Sequence, residues 1–218
     1  MKLHLGCGPV IVPGWVNVDK SPNVLLSRVP ALKRGLARIG VLSQGHVDAT
    51  FTRDVVHADV LAGLPYPDGA AQFIYHAHVI EHLSRPQALQ FLRECARLLA
   101  PDGVMRVCTP DLRQIVAAYE AGERGGPDAP MPADRFMQTL ETYVDLPGAR
   151  VQRLVRRNFA TAYVHQWLYD AESLGQLMRE AGLEPGPPLG FREGGFPDLD
   201  QLEIREQGLF MQATRPAA

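Results

Sequence analysis

Short apolar runs alternate along the chain with stretches of helical period, the pattern of a largely parallel sheet with helices on both faces. Residues 3–5 read as a first strand running into Gly6, 15–18 as a second ending at Asp19, and 55–58 as a third ending at Asp59. A fourth, 72–75, follows the turn-rich stretch LPYPDG, and a fifth, 104–108, follows the turn of Pro101, Asp102 and Gly103. Residues 209–213 supply the last strand, and the Pro- and Gly-rich stretch 185–197 holds another whose limits the pattern leaves open.

The clearest helix lies between the fourth and fifth strands. Ser84 with Gln87 three positions on makes a capping box, Leu89, Leu92, Ala96 and Leu99 share one face, and the helix ends before Pro101. A second good helix begins at Asp170, aligns Leu174, Leu177, Met178 and Ala181, and stops at Gly182. Two segments, 23–53 and 111–166, exceed a minimal alternating pattern and read as helical insertions into a single domain spanning 1–218. The first spaces Leu25, Val29, Leu32, Leu36 and Ile39 near a helical period among Arg28, Lys33, Arg34 and Arg38, interrupted by Pro30; the second carries Arg150, Arg153, Arg156 and Arg157. They read either as amphipathic helices with solvated basic faces or as a lid forming the substrate-binding region and favouring an anionic or interfacial ligand. Their apolar positions also offer a surface for a homodimer.

Composition narrows the classes. A net charge of −2 provides no global field for nucleic acid or anionic lipid. Cys7, Cys95 and Cys108 are odd in number and lack C-x-x-C spacing, which reads as reduced thiols in a cytoplasmic protein. The opening MKLHLGCG has too short an apolar part for a signal peptide, and no apolar run of about 18 residues follows, so neither export nor a transmembrane segment is expected.

The candidate chemistry lies at strand ends. Gly6 and Gly8 let the backbone approach a ligand closely, and a carboxylate ending the next strand, Asp19, can take both hydroxyls of a ribose. A dinucleotide fingerprint needs a third glycine at position 11, where Ile11 stands, and its acidic residue comes about 20 residues on, later than Asp19. A P-loop ending is absent, so a nucleoside without a pyrophosphate fits best.

The ordered blocks LHLGCG, WVNVD, HADVLAGLPYPDGAAQFIY, HVIEHL and RLLAPDGVMRVCTPDL resemble the class I S-adenosylmethionine-dependent methyltransferases of the bacterial methyltransferase-domain type, over residues 3–112 and again at ESLGQLMREAGL. The resemblance implies an α/β fold with a doubly wound, mostly parallel sheet of about seven strands, Rossmann-like, carrying the two insertions. It implies that Gly6, Cys7 and Gly8 pass under the methionine and ribose of S-adenosylmethionine and that Asp19 holds the ribose. Asp59 and Val60 would meet the adenine, and His76 and Ala77 would line the methionine portion. The chain departs from the pattern at His4, where relatives carry an acid or asparagine, and in the ten residues between Gly8 and Asp19, too few for the usual helix.

Methyl transfer mainly needs alignment and exclusion of water, with a base only when the acceptor must lose a proton. His78, His82 and His165 are the candidate catalytic histidines, and the acceptor class left by elimination is a small molecule or glycan, methylated on O or N. HVIEH also matches the H-x-x-E-H of inverted zinc peptidases. That motif requires both histidines on one helix face, whereas here it follows a strand, so no metal is expected. Two further alternatives are a nucleic-acid methyltransferase, against which stands the lack of a D/N-P-P-Y-type segment, and a cofactor-binding subunit without catalysis.

Overall fold

The computed structural model describes residues 1–42, 47–122, 130–140 and 164–217. Along them run β1 (Lys2–Leu5), β2 (Val16–Asp19), α1 (Pro22–Ser27), α2 (Pro30–Arg38), β3 (Val56–His57), β4 (Ala71–Ala77), α3 (Arg85–Leu98) and β5 (Leu99–Thr109). There follow α4 (Leu112–Glu120), α5 (Pro132–Leu140), α6 (Ala171–Glu180), β6 (Glu184–Leu189), α7 (Leu199–Leu202) and β7 (Leu209–Thr214). The seven-stranded sheet has the order β3-β2-β1-β4-β5-β7-β6. The pairs from β3 through β5 are parallel, and β7 runs antiparallel between β5 and β6. Chain order reverses between β1 and β4, and crevices at such a switch point, outside the carboxyl ends of the strands, are where open α/β sheets bind ligands.

Strand alternation assigns side chains to two layers. Leu3, Leu5, Ile74, Met105 and Val107 pack with Ala88, Phe91, Leu92, Cys95 and Leu98 of α3 and Leu174, Leu177 and Met178 of α6. On the other face Tyr75 packs with Val12, Trp15, Phe196, Leu199 and Leu202. The caps hold as the sequence predicts: Ser84 donates its amide to Gln87 Oε1, Ser173 donates its amide to Asp170 Oδ1, and Gly182 takes φ +87 after α6. The strand left open in 185–197 is β6, and its prolines fit because it lies at the sheet edge, where a missing N–H removes no ladder bond.

Pro30 does not interrupt one long helix. It starts α2, so the first insertion is a helical pair. Two of its basic residues turn back to the protein: Arg28 donates to Val55 O, and buried Lys33 donates to Ala49 O. Arg34 and Arg38 stay exposed. Arg150, Arg153, Arg156 and Arg157 lie outside the described residues.

The short β1–β2 connection contains no helix. Asn17 holds it instead, accepting from Val12 N and donating to Val12 O and Trp15 O. His4 Nδ1 lies 3.2 Å from Asn17 Oδ1, and the His4 ring meets Tyr75 edge-on. Burial lowers the His4 pKa to about 4, partly offset by the Asn17 bond. Unfolding releases that imidazole to an ordinary value near 6.5, so its contribution is whole above pH 6.5 and lost as pH falls toward 4. Between pH 7 and 5 this one group is expected to remove about 2 kcal/mol of stability. Urea unfolding at the two pH values checks it: His4→Gln should flatten the slope, and an unchanged slope would rule the attribution out.

Candidate active site

The switch point carries the expected glycine turn. Gly6 and Gly8 take φ +65 and +53, and a Cβ on Gly6 would lie 2.3 Å from Val79 Cγ2. That closeness lays the turn after β4 directly on the turn after β1. At Gly8 a Cβ would meet nothing within 4 Å among the described residues, so this face of the backbone is open toward them. The Cys7 side chain packs away with Val24, Phe51 and Val55, and burial, then Asp19, push its thiol up to about 12. Only the Cys7 backbone is left to meet a ligand.

Asp19, at the end of β2, binds the rims of this turn. Its Oδ2 accepts from Gly8 N at 2.8 Å and its Oδ1 from Ser21 N at 2.7 Å. Next along the sheet edge, Asp59 is exposed and accepts the Leu61 amide, capping a short 3-10 turn at Val60–Ala62, while Val60 is buried. Ala77 ends β4. His76 points elsewhere: its ring is fully buried, edge-on to Phe91 at 4.9 Å, and neither ring nitrogen has a hydrogen-bond partner among the described residues. Burial lowers its pKa to about 4, so it is a neutral core histidine beneath α3 rather than part of the groove. The resemblance could not show this, because the inward or outward turn of a strand-end residue depends on register.

After β4 the backbone bends sharply. His78 sits in the left-handed region at φ +53, held by its amide to Cys108 O, and a 3-10 turn over Ile80–His82 follows. A non-glycine residue there is strained, a state often found at functional sites. The turn drives Glu81 into the interior, where it is fully buried; His78 Nδ1 donates to Glu81 Oε1 at 2.9 Å and Thr109 Oγ1 to Oε2 at 3.2 Å. Burial pushes the Glu81 carboxyl up, but the His78 bond and the charges of His78 and His82 outweigh it and hold the carboxyl below its ordinary value. The Glu81 carbonyl accepts from Gln166 N and Trp167 N, which pins the segment before α6 onto the turn. His165 is thereby brought beside His82, with ring centroids 5.1 Å apart. All three candidate histidines thus gather around Glu81, a residue read in the sequence only as part of a peptidase-like motif. Helical repeats and strand alternation carry no signal for such a hub, because its partners lie in β5 and in the segment before α6.

A family model described as a methyltransferase domain matches residues 8–185. The chain belongs to the methyltransferase-domain family. A Mycolicibacterium smegmatis protein assigned as an S-adenosylmethionine-dependent methyltransferase is 43% identical to this methyltransferase domain over 67 residues, 30% of the chain and 25% of that protein. The aligned part therefore spans about a quarter of that relative. An Aspergillus luteorubrus protein assigned as methyltransferase ltbC is 26% identical over 213 residues, 86% of the chain and 70% of that protein. Among solved structures, a Listeria monocytogenes protein assigned as an S-adenosylmethionine-dependent methyltransferase has a similar fold, with TM-score 0.53, 13% identity, and 99% of this chain and 90% of that chain covered. The [4+2]-cyclase SpnF is also similar, with TM-score 0.51, 17% identity, and coverage of 99% and 75%. A cyclase on the same fold shows why the reaction of the methyltransferase domain must be argued from its site. Among its described residues no helix is long and apolar enough to cross a membrane.

Proposed function

We propose that the domain transfers a methyl group from S-adenosylmethionine to a hydroxyl of a small molecule or glycan. The observation that carries this reading is the strained, partner-bearing His78 laid against the glycine turn through the Gly6–Val79 contact. The residues fit a sulfonium nucleoside: Gly8 presents an open backbone face, and Asp19 beside it is a carboxylate at the end of the neighbouring strand. Asp19 would hold the ribose, Asp59 and Val60 the adenine, and the backbone of Gly6, Cys7 and Gly8 with Ala77 the methionine portion. When bound, the sulfonium supplies an electrophilic methyl carbon.

The chain's own residues then position the acceptor and manage its proton. Because a carboxylate oxygen only accepts, Nδ1 of His78 carries the hydrogen toward Glu81, and Nε2 presents the lone pair. That Nε2 is buried and has no hydrogen-bond partner among the described residues, which leaves it for an acceptor hydroxyl. Glu81 orients the ring and stabilises the imidazolium formed when the proton arrives. Exposed Leu25, Val29, Leu32 and Ile39 on and beside α1 and α2 suit a lid over an apolar part of the acceptor. The thiols of Cys7, Cys95 and Cys108 are free and buried, which suits a reducing, cytoplasmic setting.

Calorimetric titration should show micromolar binding of S-adenosylmethionine and S-adenosylhomocysteine, followed by turnover on a hydroxyl acceptor from a panel. His78→Gln is expected to lower kcat by about 10²-fold or more while leaving cofactor affinity within about threefold. Absence of binding to both nucleosides rejects the cofactor assignment, and full turnover by His78→Gln rejects the base.

A further inference from the structure

We infer that Glu81, His82 and His165 form a binding site for one divalent transition-metal ion, adjoining the proposed acceptor position. One ligand atom from each of the three residues lies within 4.8 Å of the others. Metal–ligand bonds of about 2.1 Å require separations of roughly 3–4 Å, so the side chains need only draw in slightly around an ion.

The hydrogen bonds behind the two imidazoles point the same way. His82 Nδ1 faces Val164 O at 3.3 Å and His165 Nδ1 faces Leu140 O at 3.0 Å. A carbonyl can only accept, so in both rings Nδ1 carries the hydrogen and Nε2 the lone pair. Metal-binding histidines are typically fixed in this way, by donating the other ring N–H to a backbone carbonyl or carboxylate. The third ligand is a fully buried carboxylate, contacted among the described residues by His78 at Oε1 and by Thr109 at Oε2. Backbone bonds support the arrangement: Gln166 N and Trp167 N donate to Glu81 O, and Gln166 Nε2 donates to His82 O.

The donor set selects the ion. Two imidazole nitrogens and one carboxylate, with no thiolate, suit Zn²⁺, Co²⁺, Fe²⁺ or Mn²⁺ over Ca²⁺ or Mg²⁺, which prefer all-oxygen shells. Three protein ligands leave coordination positions open, and the chemistry that fills them is water or an acceptor hydroxyl. This is not the inverted peptidase motif, since His78 is turned to Glu81 and a distant histidine, His165, replaces it. The ion site itself rests on local geometry; only its role toward an acceptor hydroxyl rests on the proposed methyl transfer.

The experiment titrates Zn²⁺, and separately Co²⁺, into metal-stripped full-length protein without any nucleoside, followed by calorimetry and by the visible absorption of Co²⁺. One ion per chain at micromolar affinity, reversed by chelator, is expected, with a Co²⁺ spectrum of nitrogen and oxygen ligation. His82→Gln and His165→Gln, each checked for unchanged circular dichroism, should weaken binding at least about tenfold, and His57→Gln on the exposed surface should not. Millimolar binding only, or micromolar binding indifferent to both variants, overturns the site. Should either variant misfold, the Co²⁺ spectrum of the unaltered protein decides: a shell without imidazole ligation overturns it equally. Because no nucleoside is present, failure here and failure of S-adenosylmethionine binding are read separately.

Discussion

Arg106→Leu is expected to destabilise the protein by about 3–5 kcal/mol, lowering Tm by roughly 10 °C. Arg106 lies in the middle of the sheet on β5 and is fully buried. Its Nε donates to Glu203 Oε1 at 2.6 Å, and its terminal nitrogens to Glu193 O at 2.6 Å and Gly190 O at 3.1 Å. Glu203 Oε2 in turn accepts from Arg192 N at 2.6 Å. The pair therefore fastens the segment after β6 to the sheet, and Phe210 stacks on the guanidinium at 5.4 Å. Removing the cation takes the partner from Oε1 of the buried Glu203 carboxylate and one donor from each of two loop carbonyls, of which Gly190 O keeps the Glu193 amide. Arg106→Leu combined with Glu203→Leu should regain part of the loss, since the buried carboxylate is gone while the loop carbonyls still lack the guanidinium. Thermal and urea unfolding of the two variants provide the measurement, and a single-variant loss under about 1 kcal/mol would show that the pair is only a marginal fastening.

Asp19→Ala is expected to weaken binding of both S-adenosylmethionine and S-adenosylhomocysteine by about tenfold to a hundredfold, given about 1.5–3 kcal/mol per hydrogen bond to a charged group. The carboxylate has two tasks. It shapes the turn by accepting from Gly8 and Ser21, and in the proposed complex its remaining lone pairs take the ribose hydroxyls. Asp19→Asn separates the tasks, because an amide keeps one accepting oxygen but turns a donor toward one of the two backbone amides. Calorimetry with both nucleosides, alongside Tm, checks the outcome. Equal affinity in Asp19→Ala and the unaltered protein would remove Asp19 from the site.

The expected positions of Asp19 and His76 show how differently strand-end residues can be read. Asp19 closes β2, and its own hydrogen bonds bind it to the glycine turn, so the meeting of this carboxylate with the turn was legible from the short apolar run that it ends. His76 sits one residue before the end of β4, and register with Leu5 and Val107 turns it inward against Phe91. One position along a strand exchanges the two faces of a sheet, and that exchange is settled by pairing with neighbouring strands, not by the residue's own flanks.

The same division runs through the whole molecule. Local physics was enough for the alternating elements, the caps at Ser84 and Asp170, the glycine turn and the missing β1–β2 helix, since each depends on residues a few positions apart. Only the tertiary structure decided the sheet order, the edge placement of proline-rich β6, the inward turn of Arg28 and Lys33, and the Arg106–Glu203 pair 97 positions apart in the chain. It also decided the gathering of His78, His82 and His165 around Glu81. Their side chains meet because the 3-10 turn after β4 buries a carboxylate and offers a carbonyl to a segment more than 80 residues later. Such a meeting leaves no periodic trace along the chain, because it is made by hydrogen bonds between elements and not by the repeat within one.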